Sequence, residues 1–294
     1  MNAPFCMLLC CLVMQAPVET KKKTAKFKPT RKVVYKEVGD VKLELHIFEP
    51  NGHDPKDRRP AIVFFFGGGW NGGNPSQFYP QSDHLAKQGV VAMCAEYRVK
   101  SRHKTTPFEC VKDGKSAMRY IKVHAAELGV DPDRVCAGGG SAGGHVAAAT
   151  ATVPGLDEDG EDTSISCVPD ALILFNPVYD NGPEGWGHDR VGDRYKEISP
   201  MHNITEKMPP TIVFLGTKDK LIPVTTAEKF RDKMRAVGVK SELLLFDGRP
   251  HGFFNITKGD GSDYRATVKA MDEFLREVGI IRAEKQVPQK MEIP

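Results

Sequence analysis

The 294-residue sequence contains no apolar run near the roughly 18 residues that cross a bilayer. Its ten uninterrupted apolar residues at Phe5–Met14 are too short for that role. No internal repeat is visible, and the 28 glycines do not recur every third residue. With 40% hydrophobic residues, the composition is that of a globular chain. A polytopic membrane protein, a collagen-like protein and a disordered chain are therefore excluded.

The seven cysteines show neither a C-x-x-C motif nor a histidine at zinc spacing. They give no indication of a metal site, and no cofactor motif stands out. Cys94 and Cys136 lie in apolar runs and are predicted to be buried as small hydrophobic residues. One disulfide among Cys94, Cys110, Cys136 and Cys167 is left open.

Net charge is only +3, and it comes from one segment. Residues 21–36 carry eight lysines and arginines and no acidic residue, so the rest of the chain has a net charge of −5. A nucleic-acid-binding protein would carry its basic residues on the folded body. We therefore expect a solvated linker here and no nucleic-acid partner.

The apolar run Phe5–Met14 is typical of the central region of a secretory signal. Ala16 is the best small-residue cleavage position, although Pro17 follows it and no basic residue precedes the run. The prediction is export to a periplasmic or extracellular location; the alternative is a cytoplasmic protein with an apolar start. The expected domains are a leader and basic linker over residues 1–28, a folded domain over 29–282 and a polar tail over 283–294.

Strand and helix patterns alternate along the folded domain. Residues 32–37 and 41–48 alternate in polarity around Gly39-Asp40, which predicts an antiparallel hairpin. Continuous apolar runs then alternate with helical stretches, as in parallel strands buried on both faces. We predict an α/β fold with a mostly parallel sheet, helices on both faces and an antiparallel N-terminal edge. Two segments break the rhythm: residues 154–168, expected to be a solvated acidic loop, and residues 177–208, expected to cover the sheet edge as a lid.

Gly139-Gly140-Ser141-Ala142-Gly143 follows an apolar strand and precedes a helical stretch. This is the context of a nucleophile elbow, where a tight turn exposes the serine hydroxyl and requires glycine two residues before and after it. A phosphate-binding loop would need Lys followed by Ser or Thr, but Gly144-His145 follows here. The sequence therefore predicts Ser141 as a nucleophile.

A serine nucleophile needs a histidine base and an orienting carboxylate, which follow a nucleophile elbow in the order acid, then histidine. His251 follows the last predicted strand, and Asp219 follows the strand before it. Asp247 is the rival acid, only four residues before His251 on the same strand end. We predict a Ser141–His251–Asp219 triad.

The other histidines after Ser141 are weaker candidates for the base. His145 is four residues from Ser141 on the same helix and is expected to be structural. His188 and His202 fall in the segment 177–208, where they are at best substrate contacts.

The third requirement of this chemistry is a set of N–H donors for the oxyanion. Residues 67–69 are three glycines after an apolar strand, a sequence that leaves backbone N–H groups unobstructed. We predict an oxyanion hole formed by the N–H groups of Gly68, Gly69 and Ala142.

These residues resemble the hormone-sensitive-lipase-like and acetylxylan-esterase-like branch of the α/β-hydrolase family. The resemblance covers roughly residues 35–280. It implies hydrolysis of carboxylic esters without metal or organic cofactor, often of short acyl groups and of acetylated or feruloylated carbohydrates. The matching blocks are Phe66–Trp70, Glu96-Tyr97-Arg98, Gly139–Gly143, Pro209-Pro210-Thr211 with Gly216–Asp219, and His251-Gly252.

The chain departs from this family at Phe66, where many relatives have a histidine that braces the oxyanion loop. Phe66, Trp70, Tyr179 and Trp186 are expected to line the substrate pocket. The long N-terminal cap of some relatives has no counterpart here, which favours short acyl chains from acetyl to butyryl.

The expected partner is a small-molecule or carbohydrate ester, and the oligomeric state is left open. Two alternatives remain: an aryl-formamidase-type amidase with the same triad, and a non-catalytic binding protein on the same scaffold. The second would be expected to have lost a triad residue.

Overall fold

The predicted N-terminal hairpin is present in the computed structural model, which describes residues 27–282. Strands β1 (Arg31–Val38) and β2 (Val41–Phe48) pair antiparallel, and Val38 lies opposite Val41 across the turn. Gly39 in this turn has a φ of 55°, a conformation that glycine adopts without steric cost. The predicted leader, its cleavage position at Ala16 and the polar tail 283–294 lie outside the described residues.

Six further strands complete the sheet: β3 (Arg59–Phe65), β4 (Val91–Ala95), β5 (Val130–Gly140), β6 (Leu172–Phe175), β7 (Thr211–Gly216) and β8 (Ser241–Phe246). The eight strands lie in the order β1-β2-β4-β3-β5-β6-β7-β8. Strand β2 pairs antiparallel with β4, and every neighbouring pair from β4 to β8 in this order is parallel. The fold class predicted from the alternating pattern is therefore confirmed.

Helices cover both faces of the sheet. The α-helices are α1 (Tyr79–Lys87), α2 (Lys100–His103), α3 (Pro107–Val123), α4 (Ala125–Leu128), α5 (Ala142–Thr152), α6 (His188–Val191), α7 (Val224–Ala236) and α8 (Ser262–Glu277). In β3, Ala61, Val63 and Phe65 pack in one core cluster, and Ile62 and Phe64 pack in the other. The first core includes residues of α3, α5 and α7, and the second includes residues of α1 and α8.

The two irregular segments are more ordered than the sequence predicted. Segment 177–208 contains α6 and two 3₁₀ helices, Gly192–Glu197 and Pro200–His202. In segment 154–168, Glu161 lies 2.9 Å from Arg119 and is about one-fifth exposed. The expectation of a merely solvated acidic loop was wrong for three of its carboxylates, which pair with arginines of the folded body: Asp157, Glu158 and Glu161. Asp159 and Asp162 are exposed, as expected.

Cys94, Cys110, Cys136 and Cys167 are all buried and free, so no disulfide joins any two of them. Cys94 and Cys136 are fully buried in the core, as predicted. Among residues 27–282, no helix combines the length and the apolar character needed to cross a membrane.

Candidate active site

Ser141 sits on the sharp turn between β5 and α5. Its φ of 54° and ψ of −120° are unusual for a residue with a side chain. A Cβ at position 143 would lie 2.0 Å from the carbonyl oxygen of Phe65, and one at position 139 would lie 2.5 Å from that of Gly143. Both positions thus accept only glycine, which is the steric requirement predicted from the G-x-S-x-G pattern.

The three side chains predicted to act together are in hydrogen-bonding contact. His251 Nε2 lies 3.0 Å from Ser141 Oγ, and His251 Nδ1 lies 2.7 Å from Asp219 Oδ2. An ionised carboxylate can only accept, so Nδ1–H donates to Asp219. Nε2 is then free to accept the proton of the Ser141 hydroxyl. This is the arrangement that general-base activation of a serine requires.

Asp219 is held as a carboxylate by its surroundings. Its side chain is fully buried, and burial alone would raise its pKa. Hydrogen bonds from His251 and from the N–H groups of Ile222 and Leu221 (3.0 and 2.8 Å) outweigh that effect and lower the pKa. Asp219 is therefore charged at neutral pH and can orient the imidazole.

The rival acid, Asp247, is not in this chain of contacts. It is exposed at the end of β8, and its Oδ1 accepts a hydrogen bond from Thr217 Oγ1 at 3.1 Å. The sequence already distinguished the two acids, because Asp219 follows β7, whereas Asp247 follows β8, the strand that leads to His251.

The glycine loop (residues 67–69) lies beside Ser141: a Cβ at Gly67 would come within 3.3 Å of Ser141 Cβ. The Gly67 N–H donates to Gln77 Oε1 at 2.6 Å. Within residues 27–282, the N–H groups of Gly68 and Gly69 donate to no other group. Ala142 is the first residue of α5, where N–H groups have no carbonyl partner one turn earlier. Donors of this kind are what a developing oxyanion needs.

Two aromatic residues expected in the substrate pocket lie below the surface instead. Phe66 is 1% exposed and stacks on Tyr97 with ring centroids 4.2 Å apart, while the Tyr97 hydroxyl donates to the Phe66 carbonyl. Trp70 is 2% exposed and meets His145 edge-on. These two rings flank the glycine loop in the sequence and pack into the body of the molecule, and neither is in the wall of the Ser141 cavity. The expectation that they line this cavity is therefore corrected.

The other two predicted pocket residues differ from each other. Tyr179 is fully buried and stacks on Phe230, with ring centroids 4.4 Å apart. It borders a cavity next to that of Ser141 and not the Ser141 cavity itself. Trp186 lines both cavities.

Ser141 and His251 open into a cavity of about 420 Å³. A second cavity of about 380 Å³ shares Trp186, Arg190 and Leu221 with it, so the two form adjoining parts of one groove. The wall of the Ser141 cavity is formed by Gly67, Gly68, Gly69, Asn71, Gln77, Ser141, Asn176, Trp186, Arg190, Leu221, His251, Gly252 and Phe254.

The sequence reasoning missed three polar residues of this site. Asn176 follows β6, accepts the Gly252 N–H at 2.9 Å and places its amide nitrogen 3.4 Å from His251 Nε2. Gln77 holds the glycine loop, and Arg190 donates to the Gly69 carbonyl while its guanidinium lies over Trp186. Only Asn176 carried a signal, because it is a polar residue at the carboxyl end of a parallel strand.

The other three histidines that follow Ser141 in the chain make hydrogen-bonding contacts with groups other than Ser141. His145 is fully buried, its Nε2 lies 3.1 Å from the Ile198 carbonyl oxygen, and burial lowers its pKa to about 4. It is structural, as expected. His188 and His202 contact Asn181 and Ser199 inside segment 177–208.

Two family sequence models match the chain in succession. The family described as BD-FAE matches residues 45–169, and the dienelactone hydrolase family matches residues 185–278. Together they cover the glycine loop, the elbow, Asp219 and His251.

Among solved structures, esterase 2 of Thermogutta terrifontis phosphorylated by paraoxon is 46% identical, with a TM-score of 0.84 over 88% of this chain and 98% of that one. The forms with propionate and with butyrate bound are also 46% identical, with a TM-score of 0.83 over 86% of this chain and 96% of each.

Curated relatives are more distant. Esterase LipC of Mycobacterium tuberculosis is 29% identical over 86% of this chain and 66% of its own length. A probable isoprenylcysteine alpha-carbonyl methylesterase of Arabidopsis thaliana is 26% identical over 75% of this chain and 50% of its own length. The chain thus spans half to two thirds of these relatives.

The eight-stranded sheet, the elbow and 46% identity to an esterase that the chain covers almost completely lead to one conclusion. This chain belongs to the α/β-hydrolase family, among its esterases.

Proposed function

We propose that the protein is a serine carboxylesterase that hydrolyses short-chain acyl esters through an acyl-enzyme intermediate. The observation that carries the proposal is the continuous chain of contacts from Asp219 through His251 to Ser141, at 2.7 and 3.0 Å. A binding protein on the same scaffold has no need of such an alignment.

In the proposed reaction, Ser141 Oγ attacks the ester carbonyl carbon while His251 Nε2 takes the hydroxyl proton. The carbonyl oxygen becomes an oxyanion, which accepts hydrogen bonds from the N–H groups of Gly68, Gly69 and Ala142. The carbon–oxygen bond to the alcohol then breaks, and His251 returns the proton to the leaving oxygen. Water, deprotonated by His251, releases the acid and restores Ser141.

The shape of the groove supports a short acyl group and a polar alcohol. Phe254 is one of the residues that line the Ser141 cavity, and it packs tightly against the elbow, since a Cβ at Gly140 would lie 2.7 Å from its ring. The adjoining cavity presents Trp186 together with the carboxyl side chains of Asp180 and Glu184. An aromatic side chain beside hydrogen-bond acceptors suits a hydroxyl-rich alcohol, such as the sugar of an acetylated or feruloylated carbohydrate. The propionate- and butyrate-bound forms of the Thermogutta esterase support the acyl assignment.

The substrate assignment is tested by a panel of p-nitrophenyl esters, acetylated xylo-oligosaccharides, feruloyl esters and N-formylkynurenine. We expect kcat/KM to be highest between acetyl and butyryl and to fall for longer acyl chains. A maximum at decanoyl would refute the acyl assignment, and preference for N-formylkynurenine would favour the amidase alternative.

The nucleophile is tested with Ser141→Ala. Loss of a triad serine typically costs about 10⁴–10⁶ in kcat, so hydrolysis and labelling by an organophosphonate should both vanish. The matched control is Ser164→Ala at an exposed serine of segment 154–168. Activity of Ser141→Ala within about tenfold of the parent would rule out this mechanism.

A further inference from the structure

A second cluster of chemically capable side chains lies at the antiparallel edge of the sheet. It consists of Glu44 and His46 on β2 and Glu96 just after β4. Each residue offers one ligand atom, and these three atoms lie within 4.8 Å of one another. None of the three lines the groove described above.

The strand register explains why these residues meet. Glu44 and His46 are two residues apart on β2, so their side chains point to the same face. Leu45 pairs with Ala95, and the next antiparallel step brings Glu44 opposite Glu96. The Glu44 N–H donates to Glu96 Oε2 at 3.2 Å, which fixes this carboxylate beside the strand.

His46 is oriented toward the two carboxylates and is not satisfied by them. It is 5% exposed, and its Nδ1 lies 2.6 Å from the Tyr79 hydroxyl. Its Nε2 is buried and makes no hydrogen bond within residues 27–282. A buried polar atom without a partner is energetically unfavourable, because it has lost its hydrogen bonds to water without replacing them. This orphaned nitrogen lies 3.5 Å from Glu44 Oε2 and 3.8 Å from Glu96 Oε1.

We propose that the Glu44–His46–Glu96 cluster is a binding site for a divalent transition-metal ion, Zn²⁺ in the first instance. Zinc takes histidine nitrogen and carboxylate oxygen at about 2.0–2.2 Å in tetrahedral geometry, which separates neighbouring ligand atoms by about 3.4 Å. The two distances from His46 Nε2 are close to that separation. Two carboxylates and a neutral imidazole balance the ion's charge, and water completes the coordination.

Tyr79 contacts the other ring nitrogen of His46, Nδ1, which does not face the two carboxylates. A metal-bound histidine almost always donates its other ring N–H to an oxygen acceptor, which fixes its orientation. Tyr79 Oη, on α1, is placed to accept from His46 Nδ1. An ion at this site would connect β2 to the end of β4 and stabilise the edge of the sheet.

Lys32 is the competing cation. Its ammonium lies 2.9 Å from Glu44 Oε2, the oxygen that faces His46. The Lys32 side chain is 45% exposed, so it can withdraw into solvent when an ion binds. Its removal should therefore tighten metal binding, whereas it would weaken a cluster that served only as a surface ion pair.

The experiment is calorimetric titration of chelator-treated full-length protein with ZnCl₂, together with thermal unfolding with and without the ion. We expect His46→Gln to eliminate one binding event and the accompanying rise in Tm. Tyr79→Phe should weaken that event about 10–100-fold, and Lys32→Met should strengthen it. The matched control is His84→Gln, since His84 contacts a single carboxylate, Asp272, at 2.8 Å.

Unchanged zinc binding in His46→Gln would overturn the proposal, and so would a parent protein whose Tm does not respond to zinc. If His46→Gln fails to fold, Lys32→Met still decides the matter, because equal or weaker zinc binding in that variant contradicts the proposal. None of these measurements uses ester hydrolysis, so they stand apart from the proposed function.

Discussion

At the scale of single residues, the roles of Asp219 and Asp247 can be compared directly by replacing each carboxylate with an amide. We expect Asp219→Asn to lower kcat by about 10⁴, because the amide no longer holds the imidazole in the productive tautomer. Asp247→Asn should stay within about tenfold of the parent, because it loses only a contact with Thr217. Steady-state kinetics with p-nitrophenyl acetate, with circular dichroism to check folding, measures both. A more severe effect of Asp247→Asn would show that Asp219 is not the orienting acid.

Asn176 provides a second residue-scale prediction. Its side chain accepts the Gly252 N–H and thereby fixes the loop that carries His251. Small displacements of catalytic groups cost up to about 10² in rate, so Asn176→Ala should lower kcat by about 10–100-fold with little change in KM.

The matched control for this prediction is Asn203→Ala, whose amide donates to the Lys196 and Ser199 carbonyls in segment 177–208. If kcat in Asn176→Ala equals that of the control, Asn176 does not position His251.

Some residues of the site could be placed from the sequence alone, and others could not. Ser141, Asp219 and His251 were predictable because chain order and strand ends specify where each must lie. The burial of Phe66 and Trp70 was not predictable in this way. It depends on Tyr97 and His145, which approach from distant parts of the chain.

At the scale of elements, a buried ionic network joins β1 to α3. Asp113 of α3 is fully buried and lies 2.8 Å from both Arg98 Nη2 and Lys36 Nζ. Arg98 also donates to Glu158, which comes from segment 154–168. This network anchors the hairpin and that segment to the body of the molecule. The expectation of a solvated linker over residues 21–36 was therefore wrong at Lys36, which lies in β1 and is 8% exposed.

Removing the central carboxylate should be costly because two buried cations, Arg98 and Lys36, are then left with one shared carboxylate, Glu158. We expect Asp113→Ala to lower the free energy of unfolding by about 3–5 kcal/mol. Urea denaturation followed by fluorescence measures this change. The control is Asp232→Ala, an exposed partner of Arg231, for which we expect less than about 1 kcal/mol. Equal losses in the two variants would mean that the network contributes no more than a surface pair.

The ends of some strands and helices depend on contacts that the local sequence pattern does not contain. In the sequence, only residues 135–137 form the uninterrupted apolar run that indicates strand β5, yet the strand continues through Gly140 because it pairs with β3 and β6. Glycines there resemble a turn in the sequence. A Cβ at Gly138 would lie 2.7 Å from the Phe64 ring, which is a packing reason that no local pattern displays. The start of α3 was visible in principle, since Thr106 and Glu109 form a capping box.

At the scale of the whole molecule, the sheet order follows from general rules of parallel α/β folds more than from any one motif. Buried apolar runs separated by helices imply parallel strands with crossovers. In a parallel sheet the carboxyl ends of the strands lie at one edge. Strands β5, β7 and β8 therefore end at the same edge, where Ser141, Asp219 and His251 meet. The hairpin β1–β2 was recognisable because its polarity alternates, unlike the strands buried on both faces.

The contribution of the N-terminal segment is a question about the whole molecule. The first backbone contact to the sheet in the described residues is the Thr30 N–H, which donates to the Ile47 carbonyl at 2.7 Å. Strand β1 begins at the next residue. A protein that starts at Pro29 therefore retains every strand found within residues 27–282 and every group of the proposed site.

We expect the protein that starts at Pro29 to keep the kcat/KM and Tm of the full chain, measured side by side. We also propose that residues 5–14 act as an export signal, since their length and apolar character are typical of one. Mass spectrometry of the protein from its native host should then find an N-terminus between about residues 16 and 23. An intact Met1 or Asn2 would contradict export, independently of the truncation result. Loss of activity on truncation would show that residues 1–28 contribute to the catalytic body, because the truncation removes no group of the proposed site.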